Sequence, residues 1–404
     1  MEADMLTGEA AAPALDIDPF DTAFLEDPYP AHHAMREAGP VFTLPRYGLF
    51  GMARHAEVHA ALADWQTFSS ARGVGIDDFA RVKPRRPASI VLEVDPPLHT
   101  RTRTVMNRVL SPAAVKAVRE RSAAFVDEVV AGLVRRVRFD AVTELAEPVP
   151  LRIFPDAVGV REDGRENLLP FSNAVFNSFG PVNALFLEAS RTMEPVLAWI
   201  LAQCERSALG PDGFGAKVYE AMDAGEIDAT EAPVLVRSML TAGLDTTVNA
   251  IGNTLLAFTA FPDAWRALRE NPGLVKQTVD ESLRFESPVQ TFFRTTTREV
   301  DVAGTRIPEG TKVLLFLAAA NRDPRKWSDP DRFDVHRRPI GHVGFGNGIH
   351  SCVGQLVARM EVELVLSSLV RQVATIELDG EPVRRLNNTV RGLSSLPLRV
   401  TPAG

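Results

Sequence analysis

Between Pro233 and Pro262 the chain runs 28 residues without a proline. Apolar residues recur at helical spacing through most of this stretch, so the pattern predicts one helix over residues 232–260. At 1.5 Å per residue such a helix is about 40 Å long, enough to cross a domain of this size, and it belongs in the core. Its middle breaks the pattern: Ala242-Gly243-Leu244-Asp245-Thr246-Thr247 sets a glycine, an acid and two hydroxyls into an apolar run. Glycine costs up to about 1 kcal/mol in a helix interior, and a threonine hydroxyl competes for backbone carbonyls, so the helix is expected to open here. A local rule broken at one place in a consistent element points to function.

Apolar spacing predicts further helices over residues 31–38, 55–64, 112–136, 186–207, 263–285 and 353–372. Strand alternation is confined to Val300-Asp301-Val302 and to residues 311–317, which follow the turn Pro308-Glu309-Gly310. The expected class is mainly α with a small β region. Residues 1–15 are Ala-rich with little periodicity and read as a flexible N-terminal arm. No Gly/Ser-rich, Pro-rich or single-sign linker divides the remainder, so residues 16–404 are expected to form one domain. With 44 basic against 52 acidic side chains, a formal charge of -8 argues against nucleic acid or an anionic membrane as partner. The chain opens without a basic, apolar leader, and no apolar run reaches the roughly 18 residues of a membrane span, so a cytoplasmic location is expected. Two cysteines, Cys204 and Cys352, cannot make a disulfide framework or a CxxC metal site.

Cys352 has an unusual setting. The stretch Phe345-Gly346-Asn347-Gly348-Ile349-His350-Ser351-Cys352-Val353-Gly354 leads directly into the helical pattern of Leu356, Val357, Met360 and Leu364. A helix N-terminus favours a thiolate, and glycines let backbone approach a flat ligand closely. A lone cysteine is more often inert and buried. Against that stands the joint occurrence of Phe345, Gly348, His350, Cys352 and Gly354, which resembles the haem-ligand signature FxxGxHxCxG of the cytochrome P450 family. The resemblance implies the P450 fold, with haem b lying between the long central helix and the cysteine loop, and Cys352 as the iron ligand through its thiolate. Gly354 and Phe345 belong to the same cofactor-binding loop.

Other segments resemble the family in its order along the chain. Ala242 to Thr247 is similar to the oxygen-activation motif AGxDTT, which implies Asp245 and Thr246 as the acid and alcohol that pass protons while bulk water is excluded. Glu281-Ser282-Leu283-Arg284 resembles the ExxR pair, with Arg337 completing a structural charged triad. By spacing alone Glu281 and Arg284 are an i,i+3 pair worth about 0.2–0.5 kcal/mol. His99, Arg103, Arg294 and His350 match positions that neutralise the haem propionates.

Ser238, Ala242 and Thr246 are spaced by four and share a helix face, with Arg237 and Thr241 on the adjoining stripe. An Arg inside a core helix needs a partner, which a substrate carboxylate or an internal acid would supply. The sequence is especially similar to the bacterial P450 subfamily that demethylates 4-methoxybenzoate and oxidises para-substituted benzoates. That resemblance implies a carboxylate site of Arg86, Ser89, Arg237, Ser238 and Thr241, and a ring enclosure of Leu92, Phe176, Phe179, Ala242, Val289, Phe292 and Val390. Two departures stand out: Thr241 replaces a serine of the pattern, and Val182-Asn-Ala-Leu-Phe186 differs from it. The implied partners are the aromatic acid, O2, and a separate [2Fe-2S] ferredoxin with its ferredoxin reductase, because no Gly-rich flavin or nicotinamide fingerprint is found. A P450 acting on another small aromatic or aliphatic acid, or a haem-thiolate binding protein without turnover, are the alternatives.

Overall fold

In the computed structural model, which describes residues 12–404, the central helix forms as two segments, Glu231–Ala242 and Asp245–Ala260, separated by Gly243 and Leu244. The single helix expected over residues 232–260 is corrected accordingly, and the opening falls at the glycine. A Cβ on Gly243 would lie 2.2 Å from the ring of Phe154, so only glycine allows the helix Pro148–Val158 to approach this closely. At the same place the Thr246 hydroxyl donates to the carbonyl of Ala242 at 3.1 Å, the backbone competition that its position predicts. Below the break Asp245–Ala260 is buried along nearly its whole length.

The helices Tyr29–Ala38, His55–Ala63, Pro112–Arg136 and Gln355–Gln372 lie where apolar spacing places them. Residues 263–285 form two helices, Pro262–Glu270 and Val275–Phe285, because Pro272 interrupts the ladder and the Asn271 side chain caps the amide of Gly273. Residues 186–207 likewise divide into Ala184–Ser190 and Met193–Gln203, at a point where Pro195 has no N–H to offer the carbonyl of Arg191. Spacing alone does not mark the helices Leu98–Val109, Pro148–Val158, Leu168–Asn177 and Phe214–Asp223. Of the residues 1–15 expected to form an arm, Pro13 and Leu15 pair with the first strand of the sheet described below. Thr43 donates its amide to the carbonyl of Pro13 and accepts from the amide of Leu15, both at 2.9 Å, while residues 1–11 lie outside the described residues.

The β region flanks this helical mass. Its largest sheet runs Phe42–Leu44, Leu49–Met52, Lys312–Phe316, Thr291–Thr296 and Phe68–Ser69 in spatial order. Pairing of Thr291–Thr296 with Lys312–Phe316 sets Phe292 opposite Leu315 and Arg294 opposite Val313. This register matters because successive side chains of a strand face opposite ways, so Phe292 and Arg294 share one face and reach the same cavity. Among the described residues no helix is long and apolar enough to cross a membrane.

Glu281, Arg284 and Arg337 meet in the interior. The side chains of Glu281 and Arg284 are fully enclosed, and Arg284 donates Nε and Nη2 to the two carboxylate oxygens at 2.7 and 2.8 Å. Its remaining donors reach the carbonyls of Asn321, Pro330 and Arg332, while Arg337 Nε donates to Glu281 at 3.1 Å. One guanidinium thereby ties the helix Val275–Phe285 to the long loop that leads to Cys352. Removing one member of a buried pair typically costs about 3–5 kcal/mol, far more than the surface pair that spacing alone suggests. Arg284→Ala is therefore expected to lower the thermal midpoint severely or to yield no folded protein, and a midpoint equal to the parent's would contradict this account of the cluster.

Candidate active site

A cavity of about 570 Å³ opens between the break in the central helix and the Cys352 loop. The loop is held shut by its own backbone: the amide of Cys352 donates to the carbonyl of Phe345 at 2.8 Å, and that of Ser351 to Gly348 at 3.1 Å. Gly346 and Gly348 both take φ of 70°, a left-handed conformation that favours glycine, and a Cβ on Gly348 would lie 2.6 Å from the carbonyl oxygen of Leu62. Cys352 precedes by three residues the helix Gln355–Gln372, whose N-cap is Gly354. Its sulfur is deep within the protein yet faces the cavity, as do Phe345 and Gly354. Burial pushes the Cys352 thiol up from its ordinary value, opposed by the N–H of Gly354 and by the guanidinium groups of Arg103 and Arg359.

Beside the sulfur lie two imidazoles with unpartnered nitrogens and two guanidinium groups bonded only to neutral acceptors. His350 has no hydrogen-bond partner on either ring nitrogen, since its nearest acid, Asp95, lies 3.8 Å from Nε2. His99 packs edge-on against it with ring centroids 4.4 Å apart, and Nε2 of His99 is also unpartnered. Arg294 is 2% exposed, donates Nη1 to the carbonyl of Phe293, and is pulled down by burial to about 10, with Asp95 opposing. Arg103 donates to Asn107 and to the carbonyl of Ile349, and burial lowers it too, while Cys352 opposes. Guanidinium groups drawn out of water normally sit against acids, and a buried imidazole normally finds a hydrogen-bond partner. Arg103, Arg294 and His350 line the cavity instead, while His99 lies behind His350 and does not reach the wall. One soft sulfur at a cavity wall with a cluster of uncompensated donors beside it is the donor set that an iron porphyrin carrying two carboxylates requires.

Of the pair expected to handle protons, Thr246 lines the cavity and Asp245 does not. Asp245 is fully buried and ion-paired with Arg385, which also donates to Asn249 at 3.0 Å. Its Oδ2 has no partner, and burial raises its carboxyl against the pull of Arg385. Arg385 stands 140 residues along the chain, out of reach of any local pattern.

At the other end of the helix segment, Arg86, Ser89, Arg237, Ser238 and Thr241 all face the cavity. Ser89 and Ser238 bring their hydroxyls to 3.3 Å. Ser238 and Thr241 each donate to the carbonyl four residues back, at 2.9 and 2.8 Å, so each hydroxyl turns outward only by giving up that bond. Arg237 donates Nη2 to the carbonyl of Ala88 at 2.8 Å and is lowered by burial. Among the described residues no carboxylate forms an ion pair with it within 4.0 Å. Arg86, by contrast, is paired with Glu93, a residue that sequence patterns do not single out. The apolar wall is built by Leu92, Phe176, Phe179, Ala242, Val289 and Phe292. Phe179 meets Phe176 edge-on at 5.8 Å and Phe292 at 6.0 Å. Val390 backs this wall without lining it, joined to Val289 by an isolated bridge and packed with Phe176 and Phe179. Phe186, from the segment that departs from the resembling pattern, also lines the cavity, with the Arg85 guanidinium 5.0 Å from its ring centre.

A sequence model of the cytochrome P450 family matches residues 214–400. The chain is 54% identical to cytochrome P450 CYP199A2 of Rhodopseudomonas palustris over 395 residues, covering 98% of this chain and 96% of that one. Among solved structures, cytochrome P450 CYP109Q5 from Chondromyces apiculatus aligns with TM-score 0.81 at 31% identity, covering 96% of this chain and 99% of that one. Cytochrome P450 CREJ, in complex with (4-ethylphenyl) dihydrogen phosphate, aligns with TM-score 0.85 at 25% identity, covering 95% and 98%. A relative more than half identical along nearly its whole length, carrying a family that the cysteine loop and the interrupted helix already imply, settles the matter: the chain belongs to the cytochrome P450 family of haem b monooxygenases.

Proposed function

We propose that this P450 oxidises para-substituted benzoic acids, and that its reaction is O-demethylation of 4-methoxybenzoate to 4-hydroxybenzoate and formaldehyde. The observation that carries this reading is the partly buried guanidinium of Arg237, which lines the cavity with a backbone carbonyl, and no paired carboxylate, as its partner. A carboxylate entering there meets Arg237 together with the hydroxyls of Ser89, Ser238 and Thr241 and the outer face of Arg86. Phe176, Phe179, Phe292, Leu92 and Val289 then enclose a ring, with Val390 supporting them, and Ala242 is small enough to let that ring lie against the helix. CYP199A2 supports the assignment by overall similarity, and CREJ by the para-substituted aryl group with an acidic end that its complex contains.

Cys352, with Arg103, Arg294 and His350 toward the propionates and His99 behind them, would hold the haem, and Phe345 and Gly354 would flank it. When bound, the haem supplies the chemistry of dioxygen activation by one-electron steps. The protein's part is to place the methoxy carbon and to deliver protons. Thr246 Oγ1 is the proton donor at the cavity wall, and it is free to act once it leaves the carbonyl of Ala242. Asp245 resupplies it, exchanging its contact with Arg385 for one with the hydroxyl. The apolar wall keeps bulk water from competing. Replacing a methyl C–H by C–OH gives a hemiacetal, which releases formaldehyde and leaves the phenol. Electrons reach the site from a separate [2Fe-2S] ferredoxin served by its reductase, in the cytoplasm, and residues 16–404 act as the catalytic unit.

Spin-state titrations test the anchor. Removing one partner of a buried charged contact costs about 2–5 kcal/mol, so Arg237→Ala is expected to weaken 4-methoxybenzoate binding at least tenfold. In the parent enzyme 4-methoxybenzamide should bind at least tenfold more weakly than the acid. An amide that binds as tightly as the acid would remove the carboxylate anchor and the aromatic-acid assignment with it.

Thr246→Ala should leave 4-methoxybenzoate affinity within about threefold of the parent, since the hydroxyl makes no contact at the anion end, while diverting reducing equivalents from product to peroxide. Equal yields of 4-hydroxybenzoate per reduced nicotinamide in variant and parent would exclude Thr246 from proton delivery.

A further inference from the structure

The anion end of the cavity contains a carboxylate with no role in the reaction described above. The side chain of Glu93 is fully enclosed, and four donors hold its two oxygens. Arg86 donates Nη1 and Nη2 at 2.8 and 2.6 Å, and the amides of Ser89 and Val74 donate at 3.1 and 3.3 Å. The fork-on-fork contact with Arg86 is the strong, orienting kind of ion pair. It sets the guanidinium with Nε on Ser178 Oγ at 3.0 Å and its central carbon 4.5 Å from the centre of the Phe179 ring. Glu93 thus fixes a group that forms part of the cavity wall without lining the cavity itself.

The charges at this end can be counted. Arg85, Arg86 and Arg237 line the cavity; Asp77 pairs with Arg85 and Glu93 with Arg86. Lys312 is bonded to the carbonyls of Arg72 and Gly73 and is not part of the wall; burial lowers it to about 8, opposed by Asp78 and Glu93. Among the charged groups that line this end of the cavity, one positive charge, that of Arg237, is left without an ion-pair partner. A buried charge left without a counter-charge is heavily penalised, so an entering group is matched when it carries a single negative charge and mismatched when it carries two.

We propose that Glu93 is a positioning residue that sets charge selectivity: by neutralising Arg86 it leaves one uncompensated cation at the anchor and selects singly charged carboxylates over doubly charged aryl phosphates. The inference rests on the carboxylate anchor proposed above. Its test compares 4-ethylbenzoate with 4-ethylphenyl phosphate by spin-state titration of the haem-loaded enzyme at pH 8, where a phosphate monoester with a second pKa of about 6 is doubly charged. The parent should prefer the benzoate at least tenfold. Glu93→Gln should move the ratio of the two dissociation constants at least tenfold toward the phosphate, and Glu93→Asp should keep the parent ratio. A Glu93→Gln protein that retains the parent ratio, or that gains no phosphate binding, overturns the proposal.

Should Glu93→Gln fail to fold, the parent alone decides. On lowering the pH from 7 to 5.5, a range in which Lys312 stays mostly protonated, the phosphate takes up a proton, and its affinity relative to 4-ethylbenzoate should rise at least threefold; an unchanged ratio overturns the proposal. Failure of 4-ethylbenzoate to bind the parent at all would instead strike the anchor itself, so the two failures are distinguishable.

Discussion

The sulfur of Cys352 is the fixed point of this molecule. Its loop is closed by the hydrogen bond from its own amide to Phe345, and Gly348 lies so close to the Leu62 backbone that no side chain fits there. Around this closed loop the facing elements leave room for the cavity. The helix Pro148–Val158 presses Phe154 onto Gly243, and the central helix opens between Ala242 and Asp245 at the level of the cavity. The buried triad of Glu281, Arg284 and Arg337 anchors the long irregular segment that brings the cysteine to this place, so fold stability and ligand position are coupled through one guanidinium.

The allocation of buried charge separates structural from ligand-facing groups. Glu281 with Arg284, Glu286 with Arg322 and Arg391, Asp245 with Arg385 and Glu93 with Arg86 are internal pairs. Arg294, buried, and Arg237, partly buried, have backbone carbonyls as hydrogen-bond acceptors instead, and both line the cavity. Interior cations in a stable protein are compensated. On the function proposed above, these two are the separate places for anions, one beside the cysteine loop and one along the upstream helix segment.

Much of this was legible in the residues themselves. Five positions around Cys352 carry the ligand loop, and a glycine followed by an acid and two threonines marks the opening of the central helix. The remainder depended on contacts between distant parts of the chain. Arg385 finds Asp245 across 140 residues, and Glu93 finds Arg86 within a loop that has no period to read. His99 and Val390 stand one layer behind the cavity wall, a distinction that motif spacing does not encode. Helices broken at Pro272 and near Pro195 show how a single missing N–H outweighs an otherwise continuous apolar stripe.

The central claim, that the Cys352 thiolate holds the haem, is tested most directly by the absorption spectrum of the reduced protein with carbon monoxide. The account predicts the strongly red-shifted Soret band of thiolate ligation in the parent and in Cys204→Ala, since Cys204 is 1% exposed and does not line the cavity. It predicts loss of that band in Cys352→Ala. A red-shifted band that survives in Cys352→Ala, or that disappears in a folded Cys204→Ala protein, would contradict it.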